Sequence, residues 1–309
     1  MPEPSFGVVL LNWNGYPDTE SALESLLAAT PPPARVIVVD NGSVDDSLTR
    51  LHEWRQRLQP SASPQTATAW LTIVEAGQNL GFAGGNNVGL RELAASGDLS
   101  HFLLLNNDAT VAPDYFARIS DALVEFPDAA LLGCVIFHHP ARDKVWFAGG
   151  YEVPYRALML HHYELPASKK PQETPFVTGC AMVVSRALYE SQGGLAECYN
   201  PIYWEDTDYS FRARTNGWRV LLVPMARVFH KVSASVGSEK TTPRVAYWQN
   251  RNRGYYVRRN YRGVDRAVAL SYLAVTKPAR AVVEVLRGRP AMGSAILRGF
   301  VRGLIGDIA

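Results

Sequence analysis

Short apolar runs that end abruptly in polar residues recur along the first part of the chain. The runs are Phe6–Leu11, Arg35–Asp40 and His101–Leu105, and the polar ends are Asn12-Trp13-Asn14-Gly15, Asp40-Asn41-Gly42-Ser43 and Asn106-Asn107-Asp108. Continuous apolar runs of this length are typical of strands covered on both faces, as in a parallel sheet. Because ligands of open α/β sheets bind beyond the carboxyl ends of the strands, the pattern predicts a ligand site at these polar ends.

Segments with helical spacing separate the apolar runs. Helices are predicted over Thr19–Ala28, over Leu48–Leu58 and from Pro113 to Phe126, and further strands over Trp70–Val74, Ala129–Phe137, Phe176–Ser185 and Arg219–Val223. This alternation predicts right-handed βαβ units and an α/β fold with a mostly parallel central sheet. Gln59–Ala69 is interpreted as a surface loop, and residues 138–175, which contain five prolines, as irregular.

A stretch rich in glycine and asparagine, Gly77–Gly89, is predicted to form a loop before a helix through Leu90–Ala95. Such loops let backbone N–H groups approach a phosphate or a ribose. The spacing differs from the Rossmann fingerprint and from a P-loop, whose lysine this segment lacks. The prediction of a ligand-binding role for this stretch therefore rests on its position at the same strand-end edge as Asp40 and Asp108.

Several charged residues suit either chemistry or ordinary structure. Asp108 could anchor a divalent cation that also holds phosphates, although Asn106-Asn107-Asp108 could equally just turn the chain. Glu205 and Asp206 precede a helix, where they either cap it or form a reactive carboxylate pair, and Asp208 and Arg212 are spaced to pair on that helix. The histidine pairs His138-His139 and His161-His162 are interpreted as solvated loop residues, and His230 as structural unless other residues give it a role.

Composition describes an ordinary globular protein of 309 residues with 47% hydrophobic and 19% charged residues. The three cysteines, Cys134, Cys180 and Cys198, are widely spaced, which favours buried thiols in a reducing compartment over disulfides or a zinc site. Neither a signal peptide nor an apolar run of about 18 residues is apparent, and we therefore expect a cytoplasmic protein.

The formal net charge of +2 conceals a basic tail, with a net charge of +11 between Arg244 and Arg302. In the tail, Met292, Ile296, Phe300 and Leu304 recur every four residues. This pattern predicts a basic amphipathic helix that binds a membrane surface; the alternative is that its apolar stripe packs on the catalytic domain or on a second subunit. Tyrosines and arginines interleave there, but no nucleic-acid-binding motif is present, and we expect no nucleic-acid partner.

Together these segments resemble the family 2 nucleotide-sugar glycosyltransferases of the GT-A fold. The motifs that carry the resemblance run from about Phe6 to about Ser235 and are Val38–Ser43, Asn79–Gly89, Leu105–Asp108 with Pro113-Asp114, Trp204-Glu205-Asp206, and His230. Within the family, the long Asn/Gly stretch and the segment Tyr247–Tyr261 look most like bacterial rhamnosyltransferases and their galactofuranosyl relatives. The resemblance implies a GT-A catalytic domain over residues 1–240 and a basic, helical C-terminal region over residues 241–309.

The resemblance also implies roles for single residues. Asp40 would hydrogen-bond the nucleobase, Asn12 would lie near the nucleoside, Asn107 would face the ribose, and the remaining donor-binding residues would be Asn79, Gly81 and Asn86. Asp108 and His230 would hold Mg²⁺ or Mn²⁺, although Asn107 stands where the family usually has an aspartate. Asp206 would be the general base, and Glu205, the other predicted catalytic residue, would shape the acceptor site together with Trp204. Thr178 would also line that site.

The implied activity is inverting, metal-assisted transfer of a sugar from a nucleotide-diphosphate donor to a hydroxyl of a glycan or lipid-linked acceptor in cell-envelope polysaccharide synthesis. Rhamnose, from dTDP-rhamnose, is the first choice; galactofuranosyl or other hexosyl transfer and a non-catalytic carbohydrate- or partner-binding module are the alternatives. A nucleotidyltransferase usually has a basic, glycine-rich signature near its N-terminus. That class is disfavoured here because residues 1–30 contain no Lys or Arg. The expected location is the cytoplasm, with peripheral association at the inner membrane face, and a homo-oligomer is left open.

Overall fold

A computed structural model describes residues 3–58, 70–231 and 242–306. Its central sheet has ten strands in these ranges, with the order β10-β12-β6-β11-β4-β1-β2-β3, and with β5 paired to β12 and β7 to β6. A separate hairpin contains β8 and β9. The strands are β1 Phe6–Asn12, β2 Arg35–Asp40, β3 Leu71–Glu75, β4 His101–Asn106, β5 Ala109–Val111, β6 Ala129–His138, β7 Val145–Phe147, β8 Gly150–Val153, β9 Leu158–His161, β10 Gln172–Glu173, β11 Ala181–Ser185 and β12 Arg219–His230.

The helices connect the strands and cover both faces of the sheet. They are α1 Tyr16–Leu27, α2 Ser47–Leu58, α3 Gly81–Ala95, α4 Tyr115–Glu125, α5 Arg186–Gln192, α6 Glu205–Thr215, α7 Pro243–Asn260, α8 Gly263–Leu286 and α9 Pro290–Ile305. Successive residues of a strand point to opposite faces, so Val8 of β1 joins one hydrophobic core and Val9 joins the other. This two-sided burial accounts for the uninterrupted apolar runs in the sequence.

The sheet is parallel over β1, β2, β3 and β4, and mixed beyond them. β11 lies antiparallel between β4 and β6, whereas β12 is parallel to β6. The strand predicted over Arg219–Val223 continues to His230, with a register shift between Val223 and Arg227. The expected α/β class with a mostly parallel, helix-flanked sheet is confirmed.

The glycine- and asparagine-rich stretch was predicted as a loop, and this prediction is wrong from Gly81 onward, where α3 begins. The glycines let the helix approach the sheet closely. A Cβ atom at Gly85 would lie 2.3 Å from Cδ1 of Leu11, and one at Gly89 would lie 2.4 Å from Cγ1 of Val9. The unfavourable helix propensity of these glycines is thus offset by close packing that a larger residue would prevent.

Two other predictions need correction. Residues 138–175 are not irregular, since they contain β7, the β8–β9 hairpin and β10. The strand expected over Phe176–Ser185 begins only at Ala181. Before it, Thr178 turns the chain: its carbonyl accepts the Ala181 N–H at 3.3 Å, and its hydroxyl accepts the Cys180 N–H at 3.3 Å. The loop predicted over residues 59–69 and the domain boundary predicted at residues 240 and 241 lie outside the described residues.

The basic tail forms the three helices α7, α8 and α9. Ile296 and Phe300 of the predicted membrane-binding stripe are buried, because α9 packs on α7. The backbones of these two helices approach closely at Gly254 and Gly303, whose added Cβ atoms would lie 2.8 Å and 2.6 Å from backbone atoms of the facing helix. The predicted membrane-binding stripe is therefore covered by protein, and its partner is α7 of the tail itself rather than a second subunit or the predicted catalytic domain. In the described ranges, no helix is long and apolar enough to cross a membrane.

We expect Gly303→Ala to destabilise the protein by about 1–3 kcal/mol, because the added methyl group would overlap the carbonyl oxygen of Arg251 on α7. This overlap opposes the roughly 1 kcal/mol that the same substitution contributes in an open helix. Denaturant unfolding followed by circular dichroism measures the difference. Ser294→Ala, on the exposed side of α9, is the matched control and should change stability by no more than about 0.5 kcal/mol. A more stable Gly303→Ala protein would contradict the close packing of α7 and α9.

Candidate active site

The carboxyl ends of β1 and β2 bring Asn12 and Asp40 together, since the two residues are register partners in the sheet. The Asn12 side-chain amide donates to Asp40 Oδ1 at 2.9 Å and to Ser43 Oγ at 3.1 Å. Asp40 is buried and also accepts the Ser43 backbone N–H at 3.0 Å and its hydroxyl at 2.5 Å. These bonds hold the loop after β2 in one conformation beside the two predicted donor-binding residues.

Asn107 completes this cluster from the end of β4. Its side-chain amide donates to Thr19 Oγ1 at 3.1 Å, and the Thr19 hydroxyl donates to Asn12 Oδ1 at 2.8 Å. Gly15 lies beside it, and a Cβ atom there would lie only 2.8 Å from Asn107 Nδ2. The structure thus places three of the six predicted donor-binding residues in one hydrogen-bonded group.

Asn79 and Gly81 lie at the start of α3, next to the end of β2. Asn79 Oδ1 accepts the Gly81 N–H at 2.9 Å and the side-chain amide of Asn41 at 3.3 Å. Asn41 in turn accepts the Leu80 N–H at 2.9 Å. Gly81 has a φ of +73°, and a Cβ atom there would lie 2.7 Å from Asn200 Oδ1. A side chain at position 81 would therefore be disfavoured by both backbone conformation and space.

Asn86, the remaining predicted donor-binding residue, lies inside α3 rather than in a loop. It is buried, and its side-chain amide donates to the Phe82 carbonyl one turn earlier at 2.9 Å. The neighbouring Asn87 donates to the Leu195 carbonyl and to Glu197 Oε1, both at 2.9 Å. The asparagines of this stretch thus hold the helix and the loop before α6, and the role of Asn86 toward the donor stays a prediction.

Asp108 and His230 meet at the same sheet edge. β5 and β12 pair with His230 opposite Ala109, which brings His230 Nε2 within 3.0 Å of Asp108 Oδ1. Both side chains are buried, and the His230 Nδ1 atom has no hydrogen-bond partner. Trp146 packs edge-on against the His230 ring at 5.0 Å between centroids. The two residues predicted as metal ligands, 122 positions apart in the sequence, are thus adjacent in the fold.

The donor set of Asp108 and His230 fits a divalent cation that takes its other ligands from the substrate. One carboxylate oxygen and one imidazole nitrogen face each other, and the histidine keeps an unpartnered ring nitrogen in a buried position. Mg²⁺ and similar cations use one or two protein ligands plus phosphate oxygens and water in such sites. A closed cage is not formed here: in the ranges that the structure describes, no three His, Cys, Asp or Glu residues are arranged to hold a metal ion.

Asp206 lies on the same edge, because β11 runs antiparallel to β4 and starts where β4 ends. The Asn106 N–H donates to the Cys180 carbonyl at 2.9 Å, and the preceding Gly179 N–H donates to Asp206 Oδ2 at 3.0 Å. The other carboxylate oxygen of Asp206 accepts the Thr207 N–H at 2.7 Å. Two backbone N–H groups therefore fix the orientation of the predicted general base.

Glu205 has a different environment from its neighbour. Its side chain is buried, and its Oε2 atom has no hydrogen-bond partner. Burial, together with the nearby charge of Asp206, raises the pKa of Glu205 well above its usual value of 4.5. A carboxyl group in this environment favours its protonated form, which suits it poorly as a base or nucleophile. The two adjacent carboxyl groups therefore lie in different environments: Asp206 accepts two backbone N–H groups, whereas the Glu205 Oε2 atom has no hydrogen-bond partner.

Trp204 occupies a strained position at the start of α6. Tyr203 and Trp204 both have left-handed backbone conformations, with φ values of +77° and +81°. Such conformations are costly for bulky residues and persist only when other contacts fix them. Here the Asn252 side-chain amide of α7 donates to the carbonyls of Tyr199, Ile202 and Tyr203 at 2.7–2.9 Å. The Trp204 ring also packs on Tyr256 of α7, with 5.0 Å between the ring centroids.

A second connection between α6 and the tail is centred on Asp208, which is fully buried. Its carboxylate accepts hydrogen bonds from the Tyr199 hydroxyl at 2.9 Å, the Asn260 amide at 2.7 Å and Arg212 Nε at 2.8 Å, and Arg259 lies 3.3 Å away. The predicted Asp208–Arg212 pair is confirmed. Sequence spacing did not indicate the contributions of Asn252, Asn260 and Arg259, since the tail carried no motif that links it to the α6 helix.

His161 was predicted to be solvated, and this prediction is wrong. β9 turns His161 inward, where its ring packs against Trp146 at 5.3 Å, Phe147 at 5.0 Å and Phe176 at 5.7 Å between centroids. Burial lowers the pKa of His161 below its ordinary value, an effect that the charge of Asp206 opposes. His162 points the other way, toward Tyr151. The Trp146 ring thus contacts the rings of both His161 and His230.

Comparison with known proteins agrees with this geometry. The family model described as glycosyl transferase family 2 matches residues 7–193, and the model described as glycosyl transferase family group 2 matches residues 101–292. The N-acetylglucosaminyl-diphospho-decaprenol L-rhamnosyltransferase of Mycobacterium tuberculosis is 25% identical over 267 residues, covering 78% of this chain and 80% of that protein.

Solved glycosyltransferase structures share the fold at low sequence identity. GalNAc-T7 with UDP, GalNAc and Mn²⁺ aligns with a TM-score of 0.67 at 12% identity, covering 99% of this chain, which spans only 56% of that protein. The Pyrobaculum calidifontis mannosyltransferase PcManGT, in complex with GDP-Man and Mn²⁺, aligns with a TM-score of 0.58 at 15% identity. The alignment covers 98% of this chain and 88% of that protein. Residues 1–349 of S. aureus TarS, in complex with UDP-GlcNAc, align with a TM-score of 0.60 at 15% identity. The alignment covers 97% of this chain and 81% of that chain.

The glycosyl transferase family 2 model covers more than half of the chain, and the structural alignments show that the chain shares the fold of solved glycosyltransferases. The chain belongs to glycosyl transferase family 2 and is a transferase with the GT-A fold.

Proposed function

We propose that the protein is an inverting glycosyltransferase that moves rhamnose from dTDP-rhamnose to a hydroxyl group of a glycan or lipid-linked acceptor in cell-envelope polysaccharide synthesis. The observation that carries this proposal is the position of Asp206, which two backbone N–H groups orient at the sheet edge that also holds Asp40 and Asp108. The sugar and the acceptor class are supported by the mycobacterial relative, which is named as an L-rhamnosyltransferase for N-acetylglucosaminyl-diphospho-decaprenol.

In the proposed reaction, the residues divide into a donor side and an acceptor side. Asn12, Asp40 and Asn107 bind the nucleoside, with Asn79, Gly81 and Asn86 along the adjacent start of α3. Trp204 and Thr178 line the acceptor site next to Asp206. Asp206 removes the proton of the acceptor hydroxyl as that oxygen attacks the anomeric carbon. Attack from the face opposite the nucleotide inverts the anomeric configuration, so that no second, nucleophilic carboxylate is needed.

Asp108 and His230 would hold a Mg²⁺ or Mn²⁺ ion. A divalent cation at this position would supply Lewis-acid neutralisation of the charge that develops on the leaving diphosphate. The Mn²⁺ in the GalNAc-T7 and PcManGT structures supports this part of the proposal. A cytoplasmic location, peripheral membrane association, a homo-oligomeric state and the division at residue 240 stay predictions.

We expect Asp206→Asn to lower the rate of transfer about 10²–10⁴-fold, since an amide cannot accept the acceptor proton. Donor binding should be unchanged, because Asp206 lies on the acceptor side. Transfer is measured with dTDP-rhamnose and a lipid-linked N-acetylglucosamine acceptor, and donor binding by calorimetry. Asp114→Asn, at the start of α4, is the surface control. Loss of donor affinity in the Asp206 variant would contradict the assigned role.

Glu205→Gln should keep transfer within about tenfold of the wild-type rate, because Glu205 is not the proposed general base. Loss of a general base would lower the rate about 10²–10⁴-fold. Its effect on stability should depend on pH. Below about pH 4.5 the carboxyl group is protonated in both folded and unfolded chains, and the variant should match the wild type. As the pH rises, only the unfolded wild-type chain releases this proton, so the variant should become progressively more stable by comparison. Melting temperatures measured from pH 4 to pH 8 test this; a constant difference would exclude a raised pKa at Glu205.

Donor binding should depend on a divalent cation through Asp108 and His230. With donor at about 100 times its Kd, binding stabilises the folded state by about 2.7 kcal/mol, which raises the melting temperature. We expect EDTA, Asp108→Asn and His230→Gln each to reduce this increase, and excess Mn²⁺ to restore it only for the wild type. A panel of nucleotide diphosphates and nucleotide sugars in the same assay identifies the donor base. Equal stabilisation with EDTA and with Mn²⁺ would show that donor binding needs no metal.

A further inference from the structure

The second tail helix, α8, presents an apolar face to solvent. Five residues form this face: Val264, Val268, Val275, Val282 and Leu286, of which 77%, 45%, 72%, 57% and 81% of the surface is exposed. Their spacings of four, seven, seven and four residues place them on one side of the helix. The opposite side is buried through Ala269, Leu273 and Ala281. A surface helix normally buries its apolar side and presents polar residues to solvent, whereas α8 presents apolar residues to solvent.

The apolar face is long and contains no charge. α8 has 24 residues, which corresponds to about 36 Å. Its five charged residues lie outside this face, and Glu284 among them is buried and paired with Arg280 and Arg289. The neighbouring helix α9 adds the exposed residues Leu297, Val301 and Ile305, spaced four residues apart. A row of exposed apolar residues along a whole helix, as on α8, is typical of a binding surface for a protein or a membrane.

The net charge of the tail distinguishes between these two kinds of partner. In residues 242–306, all of which the structure describes, Asp265 is the one exposed acidic residue. The exposed basic residues there include Arg262, Arg280, Arg287 and Arg298. A second copy of the chain would bring the same positive charge against this surface, whereas an anionic lipid surface is complementary to it. Since α8 is not apolar enough to cross a bilayer, it can lie only along the interface.

We propose that the apolar face of α8, with Leu297, Val301 and Ile305 of α9, docks on a membrane surface that contains anionic lipids. The valines and Leu286 enter the boundary between headgroups and acyl chains, and the positive charge of the exposed arginines of the tail attracts the anionic headgroups. This surface differs from the stripe of Ile296 and Phe300, which is buried against α7. The proposal is compatible with a lipid-linked acceptor, but it does not require the proposed reaction.

Flotation of the full chain with vesicles tests the docking surface without donor or acceptor, so that its outcome is separate from that of the transferase assays. The vesicles contain phosphatidylcholine alone or phosphatidylcholine with phosphatidylglycerol at 3:1. We expect the wild type to bind the anionic vesicles at least tenfold more tightly than the neutral ones. Val275→Asp with Val282→Asp should weaken this binding at least tenfold, because each substitution places a carboxylate in the lipid interface.

Two further variants separate the apolar and electrostatic contributions. Val124→Asp, at a valine on α4 that is 75% exposed, is the matched control and should bind as the wild type does. Arg287→Gln and Arg298→Gln should each weaken binding to anionic vesicles about fivefold and leave the melting temperature unchanged. Sedimentation velocity measures self-association of the same proteins.

Three results would overturn the proposal. The first is equal vesicle binding by the wild type and the double valine variant. The second is no preference of the wild type for anionic vesicles. The third is a wild-type dimer that dissociates in the double variant while vesicle binding is absent, which would assign the face to a second copy of the chain.

Discussion

The buried carboxylate of Asp208 is the constraint on which the arrangement of the acceptor side depends. Taking a carboxylate out of water is costly unless charges and hydrogen bonds compensate it, and removing one partner of such a group costs about 3–5 kcal/mol. Asp208 is compensated by Tyr199 before α6, by Arg212 on α6, and by Asn260 and Arg259 on the tail. Helix α6, the loop before it and α7 are therefore held together at one point.

This constraint fixes the position of Asp206. Asp206 lies half a turn from Asp208 on the same helix, and its carboxylate is oriented by the Gly179 and Thr207 N–H groups. The strained Tyr203-Trp204 backbone is kept in place by Asn252, one helix away from the chemistry. The basic tail is therefore part of the scaffold of the proposed catalytic site, and truncating it would remove the support of the loop before α6.

Much of the sheet could be predicted from the sequence because its strands are buried on both faces. An apolar run that ends in polar residues indicates a strand, its direction and the edge at which its polar end lies, and this was enough to bring Asn12, Asp40, Asn107 and Asp108 together. The glycines of α3 misled the same reasoning, since their use depends on Leu11 and Val9 in another strand. The environments of His161 and Asp206 likewise depend on residues distant in sequence, Trp146 and Gly179, and no local pattern contains that information.

The tail shows the same limit in another form. Periodicity correctly indicated an amphipathic α9, but it could not show which side of the helix faces protein, because α7 and lipid offer the same apolar environment to Phe300. Tight contacts at Gly254 and Gly303 show that this side of α9 packs on α7. The exposed apolar face lies mainly on α8. Since α7 holds the Trp204 loop and packs with α8 and α9 as one unit, the apolar face has a fixed position relative to Asp206. A membrane bound at that face would therefore meet a catalytic site whose distance and orientation are set by the fold, which suits an acceptor that is itself embedded in the bilayer.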